Sequence, residues 1–344
     1  MKAARLHGPR DLRVDEIAGP GRPGPGEALV RVRAVGICGS DVHYWTDGRI
    51  AENRITRPLV LGHEPAGEVV AVGDQVAQLQ PGARVAIDPA VPCGWCEWCA
   101  AGHPNLCPQV QFFGTPPVDG ALREMLCHPV ECLHELPDAL TFVDGALLET
   151  LGVALHAVDL SHLHPGQSAA ILGCGAVGLL TMQVARCSGA APIYVADPIP
   201  ERLALARTLG AEAAIDPREV DTVAALAQLT DGRGVDVAFD CATSHTTQAQ
   251  ACEAVKIGGR VVLSGIPDVD EFSLRHSTAR RKGLTIKFAR RMKNVYPRAI
   301  QLALRGMVEL EALATHCFPI ERAAEAMALA ETRRDGVIKP VVEL

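Results

Sequence analysis

Ser168-Ala169-Ala170-Ile171-Leu172-Gly173-Cys174-Gly175-Ala176-Val177-Gly178-Leu179-Leu180 is the stretch on which the reading of the fold turns. An apolar run leads into Gly-x-Gly-x-x-Gly, and a second apolar run follows. The pattern predicts a strand over Ser168–Gly173, a tight turn, and a helix over Ala176–Cys187. Gly173 permits the turn, Gly175 lets a pyrophosphate approach the backbone at the helix N-terminus, and Gly178 allows close helix–strand packing. Asp197 closes the next apolar strand, Ile193-Tyr194-Val195-Ala196. A carboxylate there accepts hydrogen bonds from ribose hydroxyls and repels a 2′-phosphate, so NAD is expected rather than NADP. Arg202 either lies over the adenine or ribose or is an exposed helix charge. Val177, Gly265 and Ile266 are the other expected cofactor contacts.

Apolar strands and Ala/Leu-rich helices alternate downstream of about residue 150. Helices are expected at Glu201–Leu209 and near Thr222–Leu229, and strands at Ala213–Ile215, Val235–Asp240, Gly259–Gly265 and Leu284–Phe288. This alternation predicts βαβ units: an α/β protein with a doubly wound parallel Rossmann sheet. The first third differs. It is rich in Val, Gly and Pro, and Ala28–Val35 and Gly67–Val72 read as short strands, so a mostly β domain is expected there. The tail carries predicted helices near Pro297–Leu304 and Ile320–Glu331 and a final strand over Val337–Val342. The expected division sets a dinucleotide-binding domain over 151–289 apart from 1–150 and 290–344, although spacing alone does not bring the tail back to the first domain.

The chain has 344 residues, nearly half of them apolar, and a formal net charge of -7. That balance argues against a nucleic-acid partner, which favours basic surfaces. The N-terminus, MKAARLHGPRDLRVDEI, has no apolar core of signal-peptide length, and the apolar stretch Ala169–Leu180 is short and broken by three glycines. Neither export nor membrane insertion is expected, and a cytoplasmic location follows. Twelve cysteines in such a chain point to thiols or metal ligands rather than disulfides.

Four of those cysteines, Cys93, Cys96, Cys99 and Cys107, are spaced C-x2-C-x2-C-x7-C. Four thiolates suit tetrahedral structural zinc, whereas the usual ferredoxin spacings differ. Gly94, Gly102 and Pro104 suit a loop wrapped around the ion. A closed four-thiolate site leaves no position for substrate and stabilises a lobe. A looser group comprises Cys38 in Gly36-Ile37-Cys38-Gly39-Ser40-Asp41-Val42-His43, His63 and Glu64 in Gly62-His63-Glu64, and Glu149. A catalytic zinc needs three protein ligands and an open position. Cys38, His63 and one of the two glutamates fill that requirement, and the spacing leaves open which glutamate.

Gly36–Trp45, Gly48-Arg49-Ile50, Gly62-His63-Glu64-Pro65-Ala66-Gly67 and the four-cysteine loop together resemble the zinc-dependent medium-chain dehydrogenases, and within them the sorbitol, xylitol and related polyol dehydrogenases. The resemblance runs through the whole chain. It implies a GroES-like catalytic domain beside the Rossmann domain, NAD, and two zinc ions per subunit. One is catalytic on Cys38, His63 and Glu64, and the other is structural on Cys93, Cys96, Cys99 and Cys107. Glu149 stands where a cysteine is the third ligand in other branches, and it either holds the metal-bound water or binds zinc itself. Carboxylate in place of thiolate makes a harder Lewis acid, suited to an oxygen-rich substrate.

The implied reaction is reversible hydride transfer between a secondary alcohol carbon and nicotinamide, converting a polyol of the sorbitol, xylitol or iditol type to the ketose. Ser40 and His43 are the implied proton relay, although a structural histidine in a turn explains His43 equally well. Asp41 orients a metal-bound histidine. Tyr44, Phe112 and Arg291 match positions that line the polyol site, and Met292 departs from the aromatic residue often found there. The run Arg280-Arg281-Lys282 with Arg290, Arg291 and Lys293 is either a solvated face or a pocket for a phosphorylated or acidic sugar alcohol. A threonine-dehydrogenase-like enzyme of amino alcohols shares the zinc motifs, and a non-catalytic NAD- or zinc-binding protein is the reading from a different class. The resemblance also implies a homo-oligomer, a tetramer or dimer.

Overall fold

The computed structural model describes residues 1–267 and 271–344. The chain divides into two compact units, Met1–Glu149 with Tyr296–Leu344, and Thr150–Val295.

The first unit is built on strand Glu27–Gly36, whose residues alternate between the core and the other face over most of its length. Ala28, Val30 and Val32 join Leu6, Leu59, Leu61, Leu122 and Leu126 in one apolar core. This period of two is what the Val/Arg alternation in the sequence dictates. Glu64–Val72 pairs antiparallel with Glu27–Gly36 on one side, setting Gly36 opposite Glu64. Pro340–Glu343 pairs antiparallel with the same strand on the other side, setting Gly36 opposite Val341. The C-terminal strand thus lies in the first unit's sheet. It begins at Pro340 rather than at the expected Val337.

The second unit holds six parallel strands in the order Ala213–Ile215, Ile193–Ala196, Ala169–Leu172, Val235–Asp240, Val255–Leu263, Thr285–Phe288. Strand order reverses between Ala169–Leu172 and Val235–Asp240, and ligands of doubly wound sheets bind at that switch point. Helix Ala176–Cys187 follows the glycine-rich loop. Val255–Leu263 starts four residues before the expected Gly259. Helices Gly39–Asp47, Phe142–Ser161 and His245–Ala254 were not anticipated. No helix among the described residues is long and apolar enough to cross a membrane.

Asp236, near the start of Val235–Asp240, ties this sheet together. It accepts from Ser168 N (3.0 Å) and Oγ (2.9 Å), Arg233 Nη2 (2.8 Å) and Lys256 Nζ (2.6 Å). Burial opposes its charge, but these four donors outweigh it and hold the carboxyl well below its usual range. A depressed carboxyl adds stability above its unfolded value of about 4, and that stability is lost as pH falls below it. Asp236→Asn is therefore expected to cost about 2 kcal/mol at neutral pH. The deficit should shrink on acidification, as measured by denaturant unfolding across pH. A deficit independent of pH would contradict this account.

Candidate functional site

Cys38 stands at the N-cap of helix Gly39–Asp47 with extended backbone. Asp41, on the first turn of that helix and 1% exposed, organises the surroundings. Its Oδ2 accepts from Cys38 N at 3.0 Å, its Oδ1 accepts from Gly62 N at 3.1 Å, and Oδ1 lies 3.5 Å from His63 Nδ1. Burial alone would raise the Asp41 carboxyl, yet His63 and the two N–H donors bring it below its ordinary value. One carboxylate thus joins the Cys38 turn to the Gly62–Glu64 segment. It lies at the Nδ1 edge of the His63 ring, and Nε2 on the other side is 3.4 Å from Ser40 Oγ.

The metal-ligating atoms of Cys38, His63 and Glu64 all lie within 4.8 Å of one another. Sulfur, imidazole nitrogen and carboxylate oxygen form a three-donor set that fits zinc and leaves a fourth position. Asp41 behind His63 is the outer partner such a site needs. Glu149 is 4% exposed and stands outside that group. Burial pushes its carboxyl up to about 8 against the attraction of His63, and Glu64 adds to the rise.

The Cys93, Cys96, Cys99 and Cys107 sulfurs form a second set within 4.8 Å of one another. Zinc–sulfur bonds of about 2.3 Å require tetrahedral sulfurs about 3.8 Å apart, so the loop fits the ion. Burial acts to raise the Cys93 thiol, but N–H groups of Trp95 and Cys96 draw it down to about 7. A thiol near neutrality is ready to lose its proton to a metal.

Helix Gly39–Asp47 also carries His43 three residues after Ser40, on one helical face. Tyr44 is buried, 3% exposed, and packs in the apolar core. The Phe112 ring centroid lies 5.3 Å from that of His63. Arg291, with a φ of 55°, and Met292 belong to the second unit. Met292 is a packing residue there, and a Cβ added to Gly152 would lie 2.5 Å from its sulfur. The basic segment 280–293 also belongs to the second unit.

The glycines of the second unit form a cradle. Gly173 has a φ of 98°, and a Cβ there would lie 2.9 Å from the Cys241 carbonyl and the Ala242 nitrogen. A Cβ on Gly178 would overlap the Gly173 carbonyl oxygen, and one on Gly265 the Ala242 oxygen. At Gly175 the space is open, with Arg202 Nη1 at 3.7 Å as the nearest atom. That opening at a helix N-terminus fits a dinucleotide pyrophosphate. Asp197, 4% exposed, accepts from Cys174 N at 2.7 Å and Ile199 N at 2.8 Å. Arg202 Nη1 is 4.0 Å from its Oδ2. Val177 lies in the first turn of Ala176–Cys187, and Ile266 is exposed beyond Val255–Leu263.

Sequence reasoning missed Lys339. Its Nζ donates to both oxygens of Glu64, at 2.6 and 2.7 Å, and the pair is buried. The available signal was a lone cation in the apolar run Val337-Ile338-Lys339-Pro340-Val341-Val342, since a lysine is seldom fully buried unless paired.

Two family models match the chain: the alcohol dehydrogenase GroES-like domain over residues 24–138 and the zinc-binding dehydrogenase domain over 176–305. The sorbitol dehydrogenase of Bacillus subtilis (strain 168) is 38% identical, over 99% of this chain and 97% of its own. The L-arabinitol 4-dehydrogenase of Aspergillus oryzae is 38% identical, over 92% of this chain and 85% of its own. A zinc-binding dehydrogenase from Sinorhizobium meliloti 1021, solved with NADP bound, superposes with a TM-score of 0.91 at 33% identity, covering 100% of this chain and 99% of that one. With these matches over both units, the chain belongs to the zinc-dependent medium-chain dehydrogenases and is an oxidoreductase.

Proposed function

We propose that the protein oxidises a secondary alcohol of a polyol to the ketose, with NAD as acceptor and zinc held by Cys38, His63 and Glu64. The observation that carries this reading is the Cys38–His63–Glu64 donor set in a chain 38% identical to a sorbitol dehydrogenase over nearly its whole length. When bound, zinc supplies Lewis acidity towards the substrate hydroxyl and nicotinamide supplies the hydride acceptor. Asp41 keeps Cys38 and His63 in register, and Phe112 shields the His63 side from water. Ser40, beside His63, and His43, one helical turn on, form the path by which the hydroxyl proton leaves. Phe112 is assigned to the substrate pocket, and Glu149 to the acid beside the metal set. The first unit serves as the catalytic domain in place of the expected 1–150 and 290–344, and the second, which takes in residues 290–295, serves as the NAD-binding domain in place of 151–289. There Gly173, Gly175, Val177, Gly178, Asp197, Arg202, Gly265 and Ile266 contact the cofactor. The four-cysteine loop holds the structural zinc.

Preference for NAD over NADP rests on Asp197, whose buried carboxylate opposes a 2′-phosphate. None of the twelve cysteines, all of them described residues, is in a disulfide, as suits a cytoplasmic protein. Strand Thr285–Phe288 leaves one sheet edge open with Phe288 65% exposed, which supports a homo-oligomer. The test is reduction of NAD with sorbitol, xylitol, arabinitol, threonine and simple secondary alcohols, before and after chelation. A polyol should be the best substrate, NAD should exceed NADP in kcat/KM by at least about tenfold, a difference of about 1.4 kcal/mol, and chelation should remove turnover. Turnover of threonine alone, or turnover that survives complete zinc removal, would overturn the reading.

A further inference from the structure

We propose that Lys339 and the gap at Gly36 form a clamp that positions Glu64, rather than Glu149, as the carboxylate of the metal site. The proposal rests on the assignment of Cys38, His63 and Glu64 as the ligand set.

Three neighbouring strands build the clamp. Glu64 opens Glu64–Val72, Gly36 closes the central strand Glu27–Gly36, and Lys339 immediately precedes Pro340–Glu343. Gly36 is paired with Glu64 on one side and Val341 on the other. Residues opposite each other across strands share a face, so a side chain at Gly36 would stand where the Glu64 carboxylate runs. A Cβ there would overlap Glu64 Oε2 and lie 3.2 Å from its Cβ and Cδ. The missing side chain leaves a channel over the middle strand, and through it Lys339 Nζ reaches both Glu64 oxygens at 2.6 and 2.7 Å. Their side chains are 5% and 1% exposed, so neither can turn to water instead. The ammonium offsets the cost of burying the carboxylate, and it restrains both oxygens while each keeps a lone pair for a metal. Glu149 lies outside the three-donor group. Lys339 is thus a positioning residue, acting on the metal through Glu64.

The test uses the full-length protein with zinc retained in the four-cysteine loop and cobalt(II) placed at the Cys38–His63–Glu64 site. The visible d–d bands of cobalt report ligand identity and geometry independently of turnover. Lys339→Met is expected to shift these bands from those of the unsubstituted protein. Lys339→Arg, which keeps a cation at the same place, should return them towards it. Gly36→Ala should shift them from the opposite side of the clamp, and serves as the readout if Lys339→Met does not fold. Unchanged bands in Lys339→Met, or in Gly36→Ala if that variant alone folds, would overturn the clamp. A shift in Lys339→Met that Lys339→Arg does not reverse would also overturn it, since loss of packing would then suffice. Glu64→Gln separates the two levels of the argument. If it leaves the bands unchanged, the ligand assignment itself fails; if it alters them while Lys339→Met does not, only the clamp fails.

Discussion

Cys38→Ser is expected to lower kcat/KM by about a thousandfold or more while leaving the fold intact, the scale on which loss of one preorganised electrostatic contact acts. Its fold should survive for a local reason. Cys38 is the N-cap of helix Gly39–Asp47, and serine is among the best residues at that position. Its backbone N–H still donates to Asp41, so the tie to Gly62 and His63 remains. What disappears is the thiolate, one of three donors within 4.8 Å. Cys99→Ser is the control. It removes a donor from the closed four-sulfur set, so it should lower the thermal midpoint first and turnover only through unfolding. Thermal unfolding and steady-state kinetics on both variants decide the matter. Full activity in Cys38→Ser would place the chemistry elsewhere.

Gly175→Ala is expected to weaken NAD binding by about a hundredfold with little loss of stability. The added methyl meets no protein atom closer than Arg202 Nη1 at 3.7 Å, so the unliganded chain accepts it. It fills the space through which a pyrophosphate approaches the helix N-terminus. Gly178→Ala should lose both binding and stability, because its methyl overlaps the Gly173 carbonyl oxygen and forces the helix away from the strand. Calorimetric titration with NAD and thermal melts separate the two variants. Unaltered NAD affinity in Gly175→Ala would show that the cofactor does not lie against this loop.

The parts of this site that were legible in sequence are those whose geometry is local. Gly173–Gly178 encodes a turn within six residues, Cys93–Cys107 encloses its ion within one loop, and Cys38 with Asp41 shares one helical turn. Phe142–Ser161 was not legible because it is apolar on most sides, and a helix without a polar face shows no period. His245–Ala254 hides for the opposite reason, since His245-Thr246-Thr247-Gln248 reads as a polar loop. Lys339 lies 275 residues from Glu64, a pairing that only the sheet order creates. The choice between Glu64 and Glu149 was open for the same reason: sequence spacing does not show which acid the fold brings to Cys38 and His63.

The most direct test of the account follows the hydrogen itself. Sorbitol deuterated at the carbon that becomes the ketone is oxidised by the zinc-loaded protein, and the reduced cofactor is examined by NMR. The account predicts one deuterium at the nicotinamide C4 for each NAD reduced, and transfer about a thousandfold slower from the Cys38→Ser protein. Reduced cofactor carrying only solvent hydrogen, or undiminished transfer by Cys38→Ser, would contradict it.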